Sequence, residues 1–188
     1  MSDQPTEVIR QDRQVPLLLV PFLVGAAVAV VLGVYANVHS PTGIAVNVAG
    51  FSGPLEVKVW LTSAVLVFAL VQLGSALVMY GKIRWISAPV WIGAVHRWSG
   101  RVAFLLAVPV AVHCLYAIGF QSATPRVLVH SVAGTLFFGA FTVKMLGLRR
   151  DGLAAWVLPA LGGVVFTLLV GLWWTSSLWF FTTFGVRF

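Results

Sequence analysis

A chain of 188 residues that is 60% hydrophobic and only 9% charged cannot clothe itself in a hydrated surface. Soluble domains carry about 25% charged residues, so lipid is the natural solvent here. The net charge of +7 does not point to nucleic acid. Most of the twelve Lys and Arg residues sit at the ends of apolar runs rather than along one face, which is a topological signature.

Met1 to Gln14 is polar and mixed in charge, and reads as a short cytoplasmic tail (1–14) before one transmembrane domain (15–188). The apolar run that follows is too long for a signal peptide, and four more come after it. Five spans of roughly 20 apolar residues each predict an all-α integral membrane bundle of five transmembrane helices. The first covers about 16–38, with Pro16 and Pro21 in its opening turns, and the second about 55–80, with Glu56 and Lys58 at its start. The third covers about 89–120 and should bend at Pro109. An alternative is a surface helix before Gly100 and a span from Arg101. The fourth covers about 127–148, with Lys144 placed to snorkel, and the fifth about 153–181.

Positive charge decides direction. One face collects Arg10, Arg13, Lys82, Arg84, Arg97, Arg101, Lys144, Arg149 and Arg150, against Lys58, Arg126 and Arg187 on the other. Short loops with this bias place the N-terminus in the cytoplasm and the C-terminus outside a cell membrane. The 39–54 connection, with Pro41, Gly43, Gly50, Gly53 and Pro54, is a candidate lid on the outer side. Gly25, Gly33, Gly74, Gly134, Gly139 and Gly163 are candidates for close helix contact.

The histidines carry the chemical signal, because an imidazole in lipid must be hydrogen-bonded or ligated. His113 lies about two turns before the end of the third span, and His130 about one turn into the fourth. Matched in depth, they suit the two axial positions of a low-spin haem b. Gly134 and Ala133 would let the macrocycle approach, and Arg126 is placed for a propionate, whereas Arg101 is at the wrong depth. One objection is geometric. Such ligands want backbones about 12 Å apart, while packed helices sit about 8–10 Å apart, so His39 remains an alternative partner. His96 is seventeen residues from His113, about 25 Å along a helix, and cannot share its iron. An inner haem on His96 would need Met79 or Met145 as its second ligand. The competing reading for every one of these histidines is a plain hydrogen bond to a neighbouring helix. The single Cys114 excludes an intrachain disulfide and reads as a small buried hydrophobe.

The stretch His96-Arg97-Trp98-Ser99-Gly100-Arg101, followed by His113 and His130, resembles the central helices of membrane b-type cytochromes and ferric-reductase-like transmembrane domains. The whole chain, particularly 50–80 and 95–150, also resembles an uncharacterised family of small actinobacterial membrane proteins. The first resemblance implies intramembrane haem and electron transport in a respiratory chain, with a quinol or another membrane redox donor. Its di-haem members offer two matched histidine pairs about fourteen residues apart, a pattern from which the present spacing departs. With no soluble redox domain attached, the expectation is an electron-transfer subunit rather than a complete enzyme. The alternative is a structural or assembly subunit of a larger membrane complex, and a transporter ranks third.

Overall fold

A computed structural model describes residues 14–45 and 47–188. The expected tail over 1–14 therefore lies outside the described residues, apart from Gln14, where the first helix begins. Among the described residues the chain is all-helical. Five helices are long and apolar enough to cross a membrane.

Helix α1 spans Gln14–Val38 and continues through Pro21. Helix α2 spans Pro54–Met79, opening on a proline whose missing N–H costs nothing there. Helix α3 runs over Ile92–Val112 and widens into a π-helical stretch, His113–Ile118. Helix α4 spans Pro125–Gly147, capped by the Thr124 hydroxyl accepting from the Val127 N–H at 3.3 Å. Helix α5 covers Val157–Trp173, a second π stretch follows over Trp174–Leu178, and α6 ends the chain's last span at Trp179–Phe184.

The structure corrects three details of the sequence reading. The third span is one helix from Ile92, with no break at Gly100, so a surface helix followed by a span from Arg101 does not form. Gly100 is instead where α2 comes close, since an added Cβ would lie 2.7 Å from the Gln72 side chain. The fifth span starts four residues later than expected, at Val157, and runs to Phe184. The π stretches were not foreseen. They need one extra residue per turn, which apolar periodicity does not reveal.

The bundle has an upper end, carrying the 39–53 connection and Phe188, and a lower end, carrying the 80–91 and 148–156 connections. Helix α2 packs on α3 and α5, and α4 packs on α5 and α1. Helices α3 and α4 are consecutive in sequence but do not pack closely along their backbones. They meet through Phe104 and Phe141, stacked at 4.7 Å. Thus α2 to α5 surround the core, formed by Val65, Ala69, Ala107, Phe137 and Leu169, and α1 leans on α4 from outside.

Glycine makes that lean possible. An added Cβ at Gly25 would stand 2.6 Å from the Gly139 carbonyl, and one at Gly139 would stand 2.7 Å from the Gly25 carbonyl. Among the other glycines expected at helix contacts, Gly33 and Gly134 face side chains at 3.7 and 3.9 Å, and Gly74 and Gly163 face open space.

The upper end is closed by hydrogen bonds to the wide turn of α3. The Tyr116 carbonyl accepts from the Thr42 N–H at 3.3 Å, and the Ala117 carbonyl from the Gly43 N–H at 3.1 Å. Gly119 then reverses the chain at φ +75°, which brings the Phe120 N–H to the Ala36 carbonyl at 2.7 Å. The last residues tuck against α2, where the Trp60 indole donates to the Arg187 carbonyl at 2.9 Å and stacks on Phe188 at 4.7 Å. Trp60→Phe keeps a ring and loses the donor. With about 1 kcal/mol net for such a bond, amide exchange over 185–188 should rise about fivefold by mass spectrometry.

Candidate functional site

Because α3 and α4 stand apart, two cavities open inside the bundle, one above the other. Val65, Phe137 and Leu169 line both and form the layer between them. The upper cavity holds about 480 Å³ and the lower about 560 Å³, within the roughly 300–1,000 Å³ of cofactor and small-molecule sites.

The upper cavity is lined by Lys58, Cys114, Arg126, His130, Thr175 and Trp179 among apolar neighbours, and both π stretches contribute to its wall. π turns are rare and recur at functional sites. No carboxylate lines this cavity among the described residues, so its cations are not neutralised from within. Arg126 is held in place, its Nη1 donating to the Thr175 carbonyl at 2.5 Å and its guanidinium lying 3.7 Å from the centre of the Trp179 ring.

His130 meets the same Thr175, with Nδ1 2.8 Å from Oγ1. The Thr175 hydroxyl has one proton, directed to the Gly171 carbonyl of its own helix at 2.7 Å. In that arrangement the hydroxyl oxygen accepts from His130 Nδ1–H, and Nε2 carries no proton. Histidine ligands of metals are oriented in this way, through the ring nitrogen that does not bind.

The lower cavity repeats the device with different residues. His96 lines it and places Nδ1 2.9 Å from Ser75 Oγ, and that hydroxyl is directed to the Gln72 carbonyl at 3.0 Å. In the same arrangement Nδ1–H donates and Nε2 carries no proton. The Gln72 amide donates to the His96 carbonyl and, at 3.2 Å, to Ser99 Oγ, so the ring sits on a cross-braced α2–α3 pair. Lys144 lines the same cavity.

The remaining sequence candidates are placed differently. His39 is stacked between Tyr35 and Tyr116, each at 5.0 Å, and its Nε2 donates to the Tyr116 carbonyl at 3.1 Å. His113 is half-buried at the first π residue of α3. Its neighbour Cys114 lines the upper cavity, and His113 does not. Met79 and Met145, the thioether candidates, are each 45% exposed and line neither cavity. Thus Arg126 and His130 are brought together on Thr175, while His96 belongs to a separate chamber. Among the described residues no three His, Cys, Asp or Glu side chains converge on a metal position.

Sequence reasoning missed Thr175, Ser75 and Gln72. A hydroxyl or amide inside an apolar run was the available signal. It is a weak one, because most such hydroxyls only bond back to their own helix.

A family model described as a family of unknown function (DUF6529) matches residues 18–188. No curated protein matches the chain, and no solved structure does.

Proposed function

The chain belongs to the DUF6529 family, so its chemistry is read from its own side chains, and we propose that it is a haem b-binding electron-transfer subunit with the upper cavity as its haem site. The observation that carries this reading is the His130–Thr175 pair, which engages Nδ1 and leaves Nε2 available in the wall of an apolar chamber. The resemblance of the His96–His130 region to membrane b-type cytochromes points the same way.

In this reading His130 would hold the haem iron from the cavity wall, and His113, which lies outside the lining beside Cys114, would have to turn in from its π-helical stretch to provide a second nitrogen. The absence of close backbone packing between α3 and α4 favours ligands on these consecutive helices. Lys58 and Arg126 offer charge to the propionates, and Gly134 leaves room beside His130. A bound haem supplies reversible one-electron chemistry. The protein orients the ligands and keeps water from the chamber with Leu32, Val59 and Phe137.

The donor in this proposal is a quinol or another membrane reductant, and the acceptor a partner beyond the upper end. By the charge bias of its loops the upper end faces outward. Trp85, 86% exposed, and Val186, 70% exposed, test that orientation. In a Cys114→Ser background, an impermeant maleimide on intact cells should label Val186→Cys at once and Trp85→Cys only after permeabilisation.

The deciding experiment is a reduced-minus-oxidised spectrum of protein made with ample haem supply. A b-type absorption band is expected. Chromophore-free protein that co-purifies in fixed stoichiometry with other membrane subunits would instead make it an assembly subunit.

A further inference from the structure

The lower cavity has no role in haem binding as proposed above. It offers one imidazole and, among the described residues, no second axial ligand, because Met79 and Met145 lie outside it. Three of its features nonetheless call for an occupant. His96 has Nδ1 engaged by Ser75, which leaves Nε2 to exchange a hydrogen bond with an occupant. Lys144 lines the chamber, and among the described residues its ammonium has no hydrogen-bond or ion-pair partner. An unpaired cation beside apolar walls is costly unless a ligand meets it. Gly162 lines the chamber too, and an added Cβ there would find nothing within 4 Å. That bare backbone faces the same space as the stacked Phe104 and Phe141 rings, which suits a flat molecule.

We infer that the lower cavity is a binding site for a membrane quinol or quinone. The class follows from the polar groups. His96 Nε2 accepts from a ring hydroxyl of the quinol or, as the other tautomer, donates to a ring carbonyl of the quinone, and a second oxygen of the same small molecule accepts from the Lys144 ammonium. Gly162 and the paired phenylalanines flank the ring. A fatty-acid anion would satisfy Lys144 but would leave His96 and the flat slot unused. This inference rests on the electron-transfer reading for its purpose, as the place where the reductant sits, but not for its test.

Trp156 lines the cavity, so contact with a quinone should quench its fluorescence. The experiment titrates purified full-length protein in nanodiscs with a short-tailed benzoquinone and a short-tailed naphthoquinone, with oleate as a third arm. Saturable quenching by at least one quinone is expected. It should be lost in Trp156→Phe and weakened at least tenfold in Gly162→Leu. The latter adds a side chain only to open space and should keep the thermal transition of the parent. His96→Ala should weaken binding about tenfold. Quenching that never saturates, or that survives unchanged in Gly162→Leu, overturns the site. A saturable response of Trp156 fluorescence to oleate with no quinone response reassigns the chamber to an anionic lipid and overturns it equally. Haem content is measured on the same samples. Quinone binding without haem would remove the cytochrome reading and leave this site standing, and haem without quinone binding would do the reverse.

Discussion

His130→Ala should abolish the b-type absorption while the protein still inserts and survives purification. The substitution removes the imidazole whose Nε2 is left free, and the helix around it keeps its packing against α1 and α5. Thr175→Val sharpens the test, because it keeps shape and removes the oxygen that accepts from Nδ1–H. Losing such an orienting partner typically lowers metal affinity by about 10–100-fold, so Thr175→Val should bind haem weakly and release it on dilution. Ser75→Ala, the corresponding change in the other chamber, should leave the haem spectrum untouched. A normal spectrum in His130→Ala would sink the ligand assignment. Equal losses in Thr175→Val and Ser75→Ala would mean that both act only through folding.

Gly139→Ala should be among the most destabilising single-methyl additions in the chain. The new Cβ would stand 2.7 Å from the Gly25 carbonyl and 2.9 Å from the Ala29 Cβ. Neither neighbour is the end of a flexible side chain, so α1 must move off α4. Overpacking of this kind costs about 1–3 kcal/mol, and here it falls on the one broad contact that holds α1. Gly25→Ala meets the same obstacle from the other side. The double variant should therefore cost less than the two single changes added together. Gly74→Ala and Gly163→Ala enter open space and should be neutral or stabilising by up to about 1 kcal/mol through helix propensity. Tryptophan fluorescence during denaturation in detergent measures all five variants. Equal behaviour of Gly139→Ala and Gly163→Ala would refute the close crossing.

These outcomes also divide what each level of description supplies. Hydropathy alone determined the five spans, because a backbone in lipid must bond to itself and each crossing needs a set length of apolar chain. The bounds expected for the first, second and fourth spans fall within two residues of α1, α2 and α4. Sequence also singled out His113 and His130 as imidazoles costly in lipid, Arg126 as a propionate partner, and Gly25 and Gly139 as candidates for close contact. It was silent on which helices pack together, since the lipid-facing and bundle-facing sides of such helices are almost equally apolar.

Only the tertiary structure decided that α3 and α4 stand apart, and hence that two chambers exist. It alone put Thr175 beside His130 and Ser75 beside His96, residues separated by 45 and 21 positions. A serine or threonine in an apolar run looks the same whether its hydroxyl serves only its own helix or also steers an imidazole on the next one. That difference depends on helix rotation, which packing sets and hydropathy does not encode.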